Sequence, residues 1–372
     1  MTDGRVTLRR VSCRDFRNFA RLDLEIPEQG LAVVGDNGQG KTNLLESIYY
    51  MQVLRSSRGA RDQDLVRFGA KGFFISTSAS TDDVHEISVG FETASKKKRV
   101  TQDGSVAARL SDAFGALPAV MFSPRDIQMI AGGPSDRRRF LDLVLALSSR
   151  RYLTALQNYR AALTRRNAAL RDAARTNDAS SVSVWEPALA QHGATLVCER
   201  SQWVTANRDS FARLAAAIGE GGEARMSYTS SAAKESDPAE ALLAAFERQR
   251  KHDIRRGITH SGPHRDDLTL MLDGRELRVF GSAGQQRTAA IALRMLEGET
   301  LRESRGLSPL LLLDDPFAEL DVHRSANILE LLRGAGLGQT ILVVPRASDI
   351  PPELLQLERR RIRDGVVMES AA

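Results

Sequence analysis

Residues 35–42 read Gly35-Asp36-Asn37-Gly38-Gln39-Gly40-Lys41-Thr42, and this octet constrains the fold more than any other stretch of the chain. It matches G-x-x-x-x-G-K-[ST] in the required context: the apolar strand pattern Leu31-Ala32-Val33-Val34 precedes it and a helical pattern from Thr42 to Gln52 follows. That helix carries Leu44, Leu45, Ile48 and Tyr49 on one face. Glycines let backbone N–H groups curl around phosphates, and a helix N-terminus adds the positive end of its dipole. All eight positions, Gly35 to Thr42, are therefore candidate nucleotide-binding residues. Lys41 would reach the β- and γ-phosphates, and the Thr42 hydroxyl would ligate Mg²⁺. A strand–loop–helix of this kind implies an α/β protein.

Two later stretches fit the same chemistry. Leu310-Leu311-Leu312-Leu313-Asp314-Asp315 describes a buried strand that delivers carboxylates to its C-terminal edge, where α/β sheets bind ligands. Asp314 is the candidate metal partner with Thr42, and Asp315 the candidate base or water-orienting group. Ser282-Ala283-Gly284-Gln285-Gln286-Arg287 stands before a helical pattern, Thr288 to Leu301. It reads either as a second anion site, with Ser282, Gly284 and Gln285 on phosphate, or as an N-cap closed by Gln285.

At 372 residues the chain has room for two or three domains and needs neither disulfides nor a structural metal. Cys13 and Cys198 form no metal-ligand spacing and fit a reducing compartment. No stretch nears the ~18 apolar residues of a membrane span, so a cytoplasmic protein without membrane contact is expected. Strand patterns fill residues 1–123, including Val6 to Val11, Leu22 to Ile26, Phe73 to Ser80, His85 to Phe91 and Lys97 to Thr101. Helical patterns dominate 124–260. Tyr152, Leu156, Tyr159, Leu163, Arg166 and Leu170 form one stripe, broken by its arginine; Trp185, Leu189, Leu196, Trp203, Phe211 and Leu214 form another. Two long helices joined by the polar tip 176–181 predict an antiparallel arm, followed by a loose Gly/Ser/Ala-rich stretch at 219–238. In 261–372 strand patterns return. Asp273-Gly274 predicts a hairpin between Leu268 to Leu272 and Glu276 to Phe280. Then come the strand at Leu310, a helix from Val322 to Leu332 and a strand from Thr340 to Val344.

The net charge is +5, and only seven of the 52 basic residues are Lys. A GC-rich genome accounts for the preference for arginine; its distribution is more informative. Arg125 to Arg175 holds eleven Arg against four Asp, a local charge of +7 that exceeds the whole chain's. Arg137-Arg138-Arg139 and Arg165-Arg166 therefore read either as solvated helix faces or as contacts to DNA phosphates, which would be non-specific and salt-dependent. No recognition-helix signature and no aromatic-interleaved stacking platform is visible.

Together, GDNGQGKT, SAGQQR and LLLDD with Ala318-Glu319-Leu320-Asp321 behind it resemble the ABC-type ATPase head of the SMC kind. Phe16-Arg17-Asn18-Phe19, Arg137-Arg138-Arg139-Phe140-Leu141-Asp142 and Gly262-Pro263-His264-Arg265-Asp266-Asp267-Leu268 are similar to the RecF family of bacterial recombination mediators within that class. The resemblance spans essentially the whole chain. It implies an SMC-like P-loop ATPase head split by an inserted α-helical arm domain, with head parts 1–123 and 261–372 and arm 124–260. It further implies ATP and Mg²⁺ as cofactors, Lys41 and Asp315 as catalytic residues, and a homodimer closed by two ATPs. In that dimer Ser282 and Gly284 contact the γ-phosphate in trans, and the Ala318–Asp321 turn lies at the dimer contact. The function implied is an ATP-switched clamp on single-strand/double-strand DNA junctions, with weak DNA-stimulated ATPase activity. It works with RecR and RecO in recombinase loading and the SOS response.

This sequence departs from most ABC ATPases in having Asp315 where they carry Glu, which implies slow turnover. Pro345 and Arg346 stand where a polar γ-phosphate sensor is usual, and Gln128 is the candidate for the glutamine loop. His264 and Arg265 read as a hydrogen-bonded hinge or as phosphate contacts. The competing reading is a P-loop kinase acting on a small molecule. A DNA-bridging ATPase with long coiled coils is a poor fit, because arm helices of about thirty residues reach only ~45 Å.

Overall fold

The computed structural model describes residues 4–80, 85–233, 235–317, 320–334 and 338–369. In chain order the elements are β1 (Thr7–Phe16), β2 (Phe19–Glu25), β3 (Leu31–Val34), α1 (Lys41–Val53), β4 (Gly72–Ser80), β5 (Glu86–Glu92), β6 (Lys97–Gln102), β7 (Ser105–Val106) and β8 (Ala119–Phe122). Then follow α2 (Gln128–Ala131), α3 (Pro134–Ser148), α4 (Arg150–Thr176), α5 (Glu186–Ile218), β9 (Ala224–Thr229), α6 (Pro238–Arg256), β10 (Asp267–Leu272), β11 (Arg275–Glu276) and α7 (Leu277–Phe280). The chain closes with α8 (Ala283–Arg305), β12 (Leu310–Asp314), α9 (Val322–Gly334), β13 (Thr340–Val344), β14 (Glu358–Arg363) and β15 (Val366–Glu369).

Two compact units result. The first comprises Met1–Arg125 with Glu297–Ala372, the second Asp126–Leu296. The first is built on two six-stranded sheets. One has the order β15-β14-β3-β13-β12-β8, parallel except at β14–β15; the other is the antiparallel β2-β1-β4-β5-β6-β7. Helix α1 packs against strands of both, which is why it is buried almost all round: Glu46, Ser47, Tyr50 and Gln52 are buried along with the expected Leu44, Leu45, Ile48 and Tyr49. Gln52 accordingly spends its side-chain oxygen on the Ala119 N–H (2.6 Å). Edge-to-face contacts among Phe16, Tyr50 and Phe73, with Phe91 stacked on Phe73, fill the space between α1 and the antiparallel sheet.

The second unit is mostly helical, with α4 and α5 paired along their lengths and α6 against both. It also holds the sheet β11-β10-β9. Here the structure corrects three readings. The stretch at 219–238 is not loose throughout, because Ala224–Thr229 pairs in full register with β10. That pairing ties 267–272 to the helical unit, so the unit runs to Leu296 rather than 260. Past the Asp273-Gly274 turn only Arg275–Glu276 stays extended, and Leu277–Phe280 coils into a helical turn.

The stripe-breaking Arg166 is fully buried. Its guanidinium meets Glu186 (3.0 Å), Asp253 (2.8 Å) and the Thr259 hydroxyl (2.8 Å). Arg137 is likewise buried and pairs with Asp267 (2.7 Å), while Arg138 donates to the Asp266 carbonyl (2.8 Å). Arg137 and Arg166 are therefore neither a solvated helix face nor free for phosphates, whereas Arg139 and Arg165 stay exposed. His264 is hydrogen-bonded on both ring nitrogens, to Tyr159 Oη (2.6 Å) and the Thr259 carbonyl (3.0 Å), and Arg265 donates to the same carbonyl (3.1 Å). These bonds fit the hydrogen-bonded reading, but they lie within the second unit rather than at a junction, and Arg265 stays exposed. No helix among the described residues is long and apolar enough to cross a membrane.

Candidate functional site

The octet lies in the first unit between β3 and α1, at the C-terminal end of the parallel sheet. Its shape depends on contacts from three directions. Gly35 passes so close to β14 that a methyl group there would sit 2.4 Å from the Ile362 carbonyl oxygen. Gly40 has φ of 115° and faces the Asn18 side chain, leaving no room for a Cβ. Asn18 comes from the tight β1–β2 turn; its Nδ2 donates to the Gln39 carbonyl (3.1 Å) and its Oδ1 accepts from Asn43 Nδ2 (2.7 Å). From the β14–β15 turn, the Gly365 N–H donates to the Gln39 carbonyl (3.0 Å) and the Asp364 N–H to Gln39 Oε1 (2.6 Å). Gln39 thus holds the loop together rather than facing outward.

Lys41 Nζ donates to the loop's own carbonyls at Gly35 and Asp36 (2.8 Å to the latter). Burial pulls its pKa below the ordinary lysine value, against the opposing charges of Asp314, Asp315 and Asp36. Thr42 Oγ1 donates to Asp314 Oδ1 (3.1 Å), joining residues 272 positions apart. The Asp314 carboxyl is raised above its ordinary value by burial, reinforced by Asp315 and opposed by Thr42, Lys41 and Arg58. Asp315 follows in the left-handed region (φ 46°), and its N–H extends the ladder to the Val343 carbonyl (3.0 Å). A hydroxyl and a buried carboxylate, both hard oxygen donors, suit Mg²⁺, which commonly takes one or two protein oxygens and completes its shell with water and phosphate.

Beneath the loop lies a cluster that the sequence reading missed. Glu46, fully buried on α1, accepts from Arg17 (2.9 Å), Arg58 and Ser56. Burial disfavours its charge, but the bonds from Arg58, Arg17 and Ser56 outweigh this and hold its carboxyl below the ordinary range. The signal was there in part: Arg17 and Asn18 belong to the Phe16–Phe19 motif, whose two central residues form the β1–β2 turn.

Ser282, Gly284 and Gln285 are in the second unit, at the start of α8. The Gln285 N–H donates to Ser282 Oγ (3.2 Å) and the Ser282 N–H to Gln285 Oε1 (2.9 Å), a reciprocal capping box. Ser282 is nonetheless exposed. Gln128 is exposed at the start of α2, and exposed Arg346 turns to Asp349 (3.2 Å). Of the Ala318–Asp321 turn, Ala318 and Glu319 lie outside the described residues; Asp321 caps α9 through the Arg324 N–H (2.8 Å).

The family model described as the RecF/RecN/SMC N-terminal domain matches residues 7–350. The chain is 36% identical over 365 residues to the DNA replication and repair protein RecF of Geobacter sp. (strain M21), covering 95% of this chain and 97% of that one. It is 34% identical over 372 residues to the RecF of Streptomyces avermitilis, covering 96% and 98%. Among solved structures it is similar to the recombination mediator protein RecF-ATP in the RecFOR pathway: TM-score 0.90, 29% identity, 99% of this chain and 98% of that chain. The Smc head domain of Pyrococcus furiosus shares the fold at TM-score 0.57 and 16% identity, over 98% of this chain and 95% of that one.

Proposed function

This chain belongs to the RecF/RecN/SMC N-terminal domain family, and within it to RecF; on that premise we propose that it is an ATP-switched DNA-binding protein of recombinational repair and replication restart. The observation that carries the reading is the 3.1 Å bond between Thr42 and Asp314 beside Lys41, which brings the candidate phosphate-binding and cation-binding residues together from opposite ends of the chain. Residues Gly35 to Thr42 would hold the triphosphate of ATP, with Lys41 exchanging its bonds to Gly35 and Asp36 for phosphate oxygens. Thr42 and Asp314 would hold Mg²⁺, which supplies charge neutralisation of the phosphates when bound. Asp315, at the edge of the same sheet, orients the attacking water and accepts its proton.

Each chain carries one phosphate cradle and one capped, exposed Ser282 helix N-terminus. The reading is a homodimer in which Ser282, Gly284 and Gln285 of one copy complete the cradle of the other. Closure on gapped DNA and slow hydrolysis would then time release, with RecR and RecO as partners, recombinase loading and SOS induction as outcomes, and the cytoplasm as location. The names of the relatives, a DNA replication and repair protein and a RecF-ATP recombination mediator, support this over a small-molecule kinase.

Sedimentation with and without ATP and Mg²⁺ tests the proposal. Dimers that appear only with ATP, and that Lys41→Arg weakens, are expected; a nucleotide-indifferent monomer with rapid phosphotransfer would refute it.

A further inference from the structure

A DNA-binding protein needs a face for phosphates; the arginine-rich stretch 125–175 commits Arg137 and Arg166 to buried pairs, while its exposed arginines, among them Arg139 and Arg165, lie along helices rather than in a row across strands. The outer face of the antiparallel sheet offers a different arrangement. Register sets Arg21 opposite Arg14, Arg14 opposite Phe74, Phe74 opposite Gly90 and Gly90 opposite Arg99, so five strands contribute one straight row. Their strand neighbours Cys13, Leu22, Ile75, Val89 and Val100 point into the core, which fixes the row on the exposed side.

Resting on the function proposed above, we propose that this row binds single-stranded DNA, with Arg14, Arg21 and Arg99 on phosphates and Phe74 stacked on a base. Four observations carry it. The three arginines are exposed, and their side chains make no hydrogen bond or ion pair among the described residues. Arg14 and Arg21 stand directly opposite each other, an arrangement of like charges that weakens a sheet and that bound phosphates would relieve. The acids beside the row have other partners: Asp23 is held by Arg10 and Ser12, though Arg21 also acts on its charge, Glu92 accepts from Ser95, and Asp15 pairs with Arg67. Finally, Phe74 is 43% exposed in the middle of the row, and Gly90 beside it carries no side chain to cover the ring. Phe68, fully exposed, follows Arg67, whose N–H is bonded to the Asp15 carbonyl at the Arg14 end.

Five strands spaced ~4.8 Å apart span about 19 Å, roughly five or six nucleotides at ~3.4 Å per step. Unpaired bases can stack on an exposed ring between cationic groups, whereas a duplex keeps its bases inside and offers this face only phosphates.

The test is a fluorescence-anisotropy titration of a twenty-nucleotide oligo-dT and a blunt duplex of the same length, with ATP and Mg²⁺, at two salt concentrations. R14A/R21A/R99A is expected to lose at least about tenfold in oligo-dT affinity. Its log K against log salt should flatten by about 2, at ~0.7 per phosphate contact on a single strand. F74A should lose about fivefold or more on oligo-dT and keep its duplex affinity. The control R208A/R213A/R248A, three exposed arginines of the helical unit, should change neither. All variants should bind a fluorescent ATP analogue as the unaltered chain does. If the triple variant fails to fold, Arg14→Glu and Arg99→Glu singly take its place, each expected to weaken oligo-dT binding by at least about threefold and to flatten the salt slope by about 0.7. Oligo-dT binding within twofold of the unaltered chain overturns the face while leaving the DNA-binding function intact. An equal loss in the control reduces the effect to net charge and overturns it as well, and an F74A loss shared by duplex overturns the single-strand occupant. If the unaltered chain with ATP binds neither DNA, the proposed function itself fails and the face with it.

Discussion

Arg166 sets the energetic stakes at single positions. Its charge is shared between two buried carboxylates, Glu186, which Arg250 also pairs, and Asp253, which His260 also contacts. Arg166→Met should therefore destabilise the chain by about 3–5 kcal/mol, because it strands buried charge. A denaturant titration checks this, and a shift below about 1 kcal/mol would contradict the burial argument. His264 gives a pH signature. Burial, reinforced by Arg265 and Arg138, lowers its pKa to about 4, against 6.5 for the unperturbed group. The unfolded chain thus binds the extra proton between pH 6.5 and 4, and stability falls as pH falls through that window. The expected loss is up to roughly 3 kcal/mol, at ~1.4 kcal/mol per unit. Unfolding curves of the unaltered chain and His264→Asn between pH 4 and 7 isolate this contribution, since the variant lacks it; parallel pH dependences would argue against it. At Asp315, Asp315→Asn should leave ATP binding intact and prolong the ATP-bound dimer, measured as slower dissociation after ATP is diluted away.

At the level of elements, three Asp-Gly turns show how one motif takes on different duties. Asp103-Gly104, Asp273-Gly274 and Asp364-Gly365 all place both residues at positive φ, the geometry favoured in two-residue hairpins. A methyl group at Gly104 or Gly274 meets nothing within 4 Å, whereas at Gly365 it would lie 2.7 Å from the Asn18 carbonyl oxygen. Gly104→Ala and Gly274→Ala should each cost about 1 kcal/mol from the backbone alone. Gly365→Ala should in addition lower ATP affinity several-fold, because the β14–β15 turn braces Gln39. Nucleotide titration of the three variants separates these effects; equal ATP affinities would show that the brace is dispensable. The same scale explains the missed elements. β9 is short, lies in a Gly/Ser/Ala-rich stretch and owes its pairing to β10 some forty residues later. Helix α1 displays no distinct polar face because sheets cover it on both sides.

For the whole molecule, the prediction concerns association. Ser282→Arg should bind ATP as the unaltered chain does and remain monomeric in sedimentation with ATP and Mg²⁺, since Ser282 is assigned to the partner's cradle. Loss of ATP binding in that variant would assign it to the cradle of its own chain.

The strand–loop–helix around residues 35–42, the acidic strand and the long helical pair were legible in the sequence because each is encoded locally: glycines where the backbone must turn, an apolar run ending in carboxylates, and stripes at helical spacing. Which arginines remain available was not legible. Arg137 and Arg166 sit in the most basic stretch of the chain, yet folding pairs them with Asp267, Glu186 and Asp253 from distant segments. Arg14, Arg21, Phe74 and Arg99 are scattered through unremarkable strands, and only strand register aligns them on one face. Local chemistry is written in neighbouring residues, whereas the pairing or exposure of a charge depends on what the fold brings beside it.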